Sequence, residues 1–324
     1  MAGIAIAGSI LVDKINEIDA YPSIGQLTKI RAVKRAVGGC VPNVAIDLKT
    51  LSPETDIYAI GKVGQDDEKT FLLHELGDRG IDLSGIRVSR KERTSFTEVM
   101  SEIGGQRTFF TYPGASDEFG LEDIDLDRLA GYKMLHLAYY LLLKKVDEGD
   151  GERILKAASE RGVKTSIDLV SENSDRYSIV LPSLKYTDNL IINELEAGKL
   201  TGIEPTDENL VAISKKLLSL GVRERVIIHK KELGLVVNRS GEVTAIGSFK
   251  LPEGFIKGTT GAGDAFCAGA LYAIHEDKSD REILEWATTS ALGALCAADA
   301  VSGMKTIAEL KTLTNELERN EICL

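Results

Sequence analysis

The strongest chemical signal in the chain is an acid set behind closely spaced glycines. In Gly258-Thr-Thr-Gly261-Ala262-Gly263-Asp264 the aspartate opens an apolar run, Phe266, Ala270, Leu271 and Ile274, spaced as one face of a helix. The pattern predicts a loop entering a helix N-terminus. Backbone N–H groups there lack intrahelical partners and the helix dipole is positive, so an anion can settle among them, and glycine lets its oxygens reach the backbone. Asp264 would repel a bound phosphate unless something useful lay between them, such as a hydroxyl whose proton the carboxylate accepts while its oxygen attacks phosphorus. Glycine-rich turns before helices are common and Asp is an ordinary first-turn residue, so local chemistry alone leaves both readings open. Two other phosphate loops are excluded: no GxxxxGK[ST] occurs, and Phe266 stands where GxGxxG needs its third glycine.

Further polar residues stand where short apolar runs end. Asp13 follows the first run, Asp168 ends the run that begins at Lys164, and Asn193 with Glu196 follows Leu190 to Ile192. Ligands of an open parallel sheet bind outside the carboxyl ends of its strands, so each is either a ligand group or a turn and cap residue. In Gly38-Gly39-Cys-Val-Pro-Asn43 two glycines let the backbone approach a polyhydroxy ligand, and Asn43 offers a donor and an acceptor to a hydroxyl.

The elements that must position these residues alternate. Strands are predicted at Gly3 to Ala7, Asp56 to Ile60, Met134 to Leu137, Lys164 to Ile167, Leu190 to Ile192 and Val226 to Ile228. Helical patterns fall between them, such as Asp67 to Leu76 before Gly77 and Gly80, and Glu152 to Arg161 before Gly162. The repeat predicts an α/β domain with a mostly parallel central sheet covered by helices on both faces. Thr28 to Val37 and Thr94 to Thr111, with a hairpin turn at Gly104-Gly105, read as strands outside that sheet, either a lid or an antiparallel edge extension. The last third is helical, with Ser279 and Glu282 as a capping box.

A chain of 324 residues has ample core for one large α/β domain, and no linker, repeat or low-complexity stretch divides it. A net charge of -11 argues against nucleic acid or an anionic membrane as partner, because either needs a basic face. The longest apolar run, Leu137 to Leu143, is too short to cross a bilayer. Cys40, Cys267, Cys296 and Cys323 form no CxxC pair and read as reduced, buried thiols of a cytoplasmic protein. His74, His136, His229 and His275 show no metal-ligand spacing.

Several of these stretches resemble the signatures of the ribokinase-like (PfkB-type) carbohydrate kinases over nearly the whole chain. Gly258 to Asp264 is similar to DTxGAGD, Gly38 to Ala45 to GGxxxNVA, Ile60 to Asp66 to GxVGxD, Asn193 to Glu196 to NxxE, and Arg107 to Ser116 to the lid return. The resemblance implies one ribokinase-like domain over 1–324, with a small β lid from about 11–37 and 94–115. It implies an ATP-dependent sugar kinase, fructokinase-like in its leaning, with a nucleoside kinase or a non-catalytic relative as alternatives. Asp264 would be the base and Gly261, Ala262 and Gly263 the anion hole. Asp13, Gly38, Gly39, Asn43 and Asp168 would hold the sugar; Asn193, Glu196, Gly234 and Thr260 would serve ATP, with Glu196 holding Mg2+ through water. Asp66 would cap a helix beneath the site, and the lid is a candidate homodimer contact. Two departures matter: Gly258 replaces the aspartate that commonly binds a monovalent cation, so potassium dependence is not expected, and HKKELG (His229 to Gly234) keeps only the last glycine of TLGxxG, which leaves Lys230 and Lys231 either facing phosphate or solvated.

Overall fold

The computed structural model describes residues 3–103 and 106–322. In chain order its elements are β1 (Ile4–Ala7), β2 (Leu11–Ile18), β3 (Ile30–Gly38), α1 (Cys40–Leu51), β4 (Ile57–Val63), α2 (Asp67–Gly77), β5 (Asp82–Val88), β6 (Ser95–Glu102) and β7 (Arg107–Tyr112). There follow α3 (Leu126–Leu129), β8 (Met134–Tyr140), α4 (Gly151–Glu160), β9 (Lys164–Leu169), β10 (Asn189–Asn193), α5 (Glu194–Thr201), α6 (Leu210–Ser219) and β11 (Arg225–His229). The chain continues through β12 (Leu233–Asn238), β13 (Val243–Gly247), α7 (Ala262–His275), α8 (Asp280–Ala294) and α9 (Ile307–Thr314).

Nine strands form one sheet in the order β13-β12-β11-β10-β9-β8-β1-β4-β5. Pairing is parallel from β11 to β5, and β12 and β13 add an antiparallel edge. Strand alternation explains the two cores. Ala5, Ala7, Leu135, Leu137, Ile167, Leu190 and Ile192 face α4, α5 and α6, whereas Ile4, Ile6, Met134, Ile191 and Ile227 face α1, α2, α7 and α8. Each fully buried aliphatic side chain contributes about 1.5–3 kcal/mol, and slipping one strand by a residue would turn its apolar set onto the wrong core. The sequence reversal lies at β1, with β4 on one side and β8 on the other, so the ligand crevice is expected outside the carboxyl ends there.

A second sheet, β3-β2-β6-β7, stands apart from the first. Thr28 to Val37 and Thr94 to Thr111 thus do lie outside the main sheet; the Gly104-Gly105 turn lies outside the described residues. Asp66 clasps the two sheets together. It caps α2 by accepting from Lys69 N (3.1 Å), and it also accepts from Thr94 N (2.8 Å) and Thr94 Oγ1 (2.6 Å), where the chain enters β6. A Cβ on Gly64 would lie 2.3 Å from Thr94 N, so that glycine is required for the close approach. At the C-terminal side, Ser279 and Glu282 form the expected capping box of α8. Among the cysteines, Cys40 and Cys267 are buried thiols but Cys296 is only half-buried, and Cys323 lies outside the described residues.

Candidate active site

Gly261, at φ 79° and ψ -2°, turns the chain into α7. A Cβ there would lie 2.4 Å from Ala300 O, so only glycine lets the loop rest on the 297–300 segment behind it. Ala262 N is already engaged, donating to Thr259 O at 3.3 Å. The amides of Gly261, Gly263 and Asp264 lack such a partner among the described residues, so of the expected Gly261-Ala262-Gly263 set only the Ala262 N–H is engaged. Gly258 packs tightly as well: a Cβ would sit 2.8 Å from Ala297 O and 2.9 Å from Ala298 Cα, leaving no room for an acid at that position.

Asp264 is 6 % exposed and faces a cavity of about 210 Å³. Its Oδ2 accepts from Asn43 Nδ2 at 2.9 Å, and Tyr139 Oη donates to Oδ1 and Oδ2 at 2.9 and 3.0 Å. Burial pushes its pKa up to about 7; the hydrogen bonds from Asn43 and Tyr139 pull the other way, while the charges of Asp168 and Asp13 add to the rise. Tyr139 holds this position at a positive φ of 59°, which for a bulky residue costs about 1–2 kcal/mol, and its backbone N donates to Asp168 Oδ1 at 2.6 Å. Asn43 Oδ1 is buried with no hydrogen-bond partner, an acceptor still waiting for a donor. One turn further along α1, Asp47 is also buried with neither oxygen partnered, and burial, together with Asp264 and Asp299, pushes it well above the carboxylate range.

The other side of the cavity is made by the ends of β9, β10 and β11. Asp168, Ser171, Asn193, Glu196 and His229 line it, together with Gly261, Gly263 and Cys267. Asn193 and Glu196 form a reciprocal capping box at the start of α5, and Ser171 Oγ donates to Glu196 Oε1 at 2.8 Å. Burial raises Glu196 to about 7, against the hydrogen bond from Asn193 N. His229 packs against Phe266 with ring centroids 4.7 Å apart and planes tilted by 34°, and burial lowers it to about 4, so it is neutral at physiological pH. Among the described residues, no Lys or Arg lines this cavity. An anion in the cavity itself would therefore meet backbone N–H groups and no cationic side chain of its lining.

Of the residues expected from sequence, Asp168, Asn193, Glu196, Gly261, Gly263 and Asp264 share this cavity, and Asn43 joins through Asp264. Asp13 requires a correction. It lies within β2 of the small sheet, opposite Ala36, not on the rim of the main sheet; the chain crosses between sheets in the few residues after β1. A Cβ on Gly38 would lie 2.6 Å from Asp13 Oδ2, so the glycine makes room for that carboxylate, which burial raises to about 6. Gly39, at φ 85°, packs on Ser9 at the end of β1. Gly234 does not line the cavity; in β12, opposite His229, an added Cβ would meet Leu284 at 3.1 Å and Phe266 at 3.5 Å. Thr260 Oγ1 instead accepts from Arg107 Nη1 of β7 at 3.2 Å, a contact from the small sheet to the glycine loop before α7. Lys230 is paired with Asp207 and Glu232, and Lys231 is exposed. Sequence patterning does not single out Tyr139, Ser171 or Cys267, although Tyr139, next to last in β8, fits the same strand-end rule as Asp168.

A doubly covered α/β sheet with an acid and free amides at one helix N-terminus, in a crevice at the strand ends, defines a phosphotransferase that acts on an alcohol group. Residues 2–307 match the pfkB family carbohydrate kinase, and the chain belongs to that family. Curated relatives include ribokinase of Arabidopsis thaliana, 27% identical over 303 residues (90% of this chain, 75% of that protein). Another is the ATP-dependent ribose-1-phosphate kinase of Halopiger xanaduensis, 28% identical over 304 residues with 92% of each chain covered. The fructokinase-1 of Zea mays is 26% identical over 285 residues, covering 84% of this chain and 85% of that one. Among solved structures, Arabidopsis thaliana ribokinase complexed with ribose and ATP superimposes with a TM-score of 0.85 at 24% identity, covering 97% of this chain and 99% of that chain. The protein is a sugar kinase of this family. Among the described residues no helix is long and apolar enough to cross a membrane.

Proposed function

We propose that the protein transfers the γ-phosphoryl group of ATP to a primary hydroxyl of a small sugar, with a fructokinase-like hexose as the leading acceptor class. The observation that carries this reading is the Asp264 carboxylate beside the open amides of Gly263 and Asp264 at the start of α7, bonded to an Asn43 whose Oδ1 has no partner. The acceptor hydroxyl takes the place of the Tyr139 phenol on Asp264, which removes its proton as the oxygen attacks phosphorus; the amides hold the transferred oxygens. Asn43 Oδ1 and Asp13 accept from other sugar hydroxyls. Magnesium, when bound with ATP, screens the phosphate charge; both Glu196 oxygens already accept from protein donors, so a hold through water fits the site better than a direct bond. The small sheet acts as a lid that excludes water, with Arg107 and Thr260 at its seam. The test is an ADP-release assay with ATP over sugars and nucleosides. Turnover with a hexose or pentose is expected; turnover with nucleosides alone, or with no acceptor, overturns the reading.

Asp13→Ala probes the sugar contact. Acceptor kcat/KM is expected to drop by about 10 to 10³, since a carboxylate hydrogen-bonded to hydroxyls contributes roughly 1.5–3 kcal/mol, while KM for ATP stays near wild type. A lowered Tm with both KM values unchanged would make Asp13 a structural residue only.

The pH profile follows from the raised pKa. A base with a pKa of about 7 is protonated and idle below that value, so acceptor kcat/KM should rise about tenfold per pH unit up to about 7 and then level off. Tyr139→Phe removes a hydrogen bond that favours the charged form, so its ascending limb moves to higher pH. A profile flat between pH 5.5 and 8 would exclude Asp264 as the titrating base.

We also place the protein in the cytoplasm, in keeping with free Cys40, Cys267 and Cys296. The lid's exposed Ile30, Val33, Phe109 and Phe110 suit contact with a second copy of the chain, an idea that light scattering showing a monomer would discard.

A further inference from the structure

Beneath the cavity, β8, β9 and α7 bring His136, Asp168 and Cys267 together, with one ligand atom from each within 4.8 Å of the others. His136 Nε2 lies 3.3 Å from Cys267 Sγ and 3.4 Å from Asp168 Oδ2. The three are 0 %, 2 % and 8 % exposed for His136, Cys267 and Asp168 respectively. Sulfur, imidazole and carboxylate form the donor set of a borderline-soft divalent ion such as zinc. Tetrahedral zinc with ordinary bond lengths separates its nitrogen from its sulfur ligand by about 3.6 Å and from its oxygen ligand by about 3.4 Å. His136 Nε2 therefore already stands at ligating separations from both partners, and Cys267 Sγ and the Asp168 carboxylate lie within 4.8 Å of each other. His136 Nδ1 is 2.8 Å from Ser166 Oγ, an outer partner that fixes the ring and directs Nε2 at the cluster. Asp168 and Cys267 line the cavity, which supplies the entry path.

We propose that His136, Asp168 and Cys267 bind one zinc-class divalent cation at the floor of the cavity, with its fourth position open to water. On binding, the Cys267 S–H bond breaks and its proton passes to solvent as the metal–sulfur bond forms; His136 Nε2 and Asp168 Oδ2 donate lone pairs, and no group changes oxidation state. Magnesium is a poor occupant, because it demands six hard oxygen ligands. A loaded site takes Asp168 Oδ2 away from any acceptor hydroxyl and sets a double positive charge one helical turn from Asp264, so this metal is inhibitory in character and separate from the ion that accompanies ATP.

The test is titration of the chelator-treated full chain with Co2+ in the absence of substrates. One equivalent is expected to bind with the absorption of four-coordinate cobalt and a thiolate-to-cobalt charge-transfer band. Cys267→Ala should lose that band; Cys40→Ala, which removes a second buried thiol bonded to Ser9, should keep it. Ser166→Ala, which leaves all three ligands in place, should weaken Co2+ binding about 10- to 100-fold. No charge-transfer band in the wild type, a band that survives Cys267→Ala, or unchanged affinity in Ser166→Ala would each overturn the assignment.

Discussion

Asp264→Asn is expected to lower kcat by about 10² to 10⁴, the range associated with loss of a general base, while KM for ATP changes little. The amide keeps the volume of the carboxylate and can still accept from Asn43 or Tyr139, whose donors lie 2.9–3.0 Å away, so the fold around α7 should survive. Only the ability to take a proton from the acceptor hydroxyl is removed. The measurement is steady-state ADP release at saturating sugar, with Tm as a control. Turnover within threefold of wild type, in a folded variant, would mean that another group takes the proton.

Gly261→Ala should be nearly as damaging for a different reason. The added Cβ meets Ala300 O at 2.4 Å and Ala300 Cα at 2.6 Å, and it places an L-residue at φ 79°. Because the obstacle is backbone, the loop itself must move, and with it the amides of Gly263 and Asp264. A displacement of about 1 Å at such a site costs roughly 10²-fold in rate. Gly254→Ala serves as the comparison: Gly254 has a similar φ of 76°, but nothing lies within 4 Å of its added Cβ. That variant should lose about 1 kcal/mol of stability from the left-handed backbone and keep its kcat. Equal kcat for the two alanine variants would refute a positional role for Gly261.

The outline of the fold was legible because its determinants are local. Short apolar runs, glycine stops and the Asp66 and Ser279 caps act over a few residues, and burial on both faces of a parallel sheet makes the central strands apolar throughout. The candidate site was legible where function demands a backbone feature, as at Gly261 and Asp264, or a strand-end position, as at Asp168, Asn193 and Glu196. Asp13 was misplaced because nothing in GSILVD reports that the chain leaves one sheet and enters another; that switch is made by pairing with β3 and β6, residues distant in sequence.

Residue type and spacing alone determined the α/β alternation, the glycine turn into α7 and the acid behind it. Only the tertiary structure decided what that acid meets. Asn43 and Tyr139 reach Asp264 from 221 and 125 residues away, and the burial they share raises its pKa to about 7. His136, Asp168 and Cys267 likewise form a cluster across 131 residues that no spacing rule could anticipate. The physical reason is one of range: backbone propensity and capping act along the chain, whereas desolvation and ligand geometry depend on which side chains the packing of sheet and helices brings within a few ångströms.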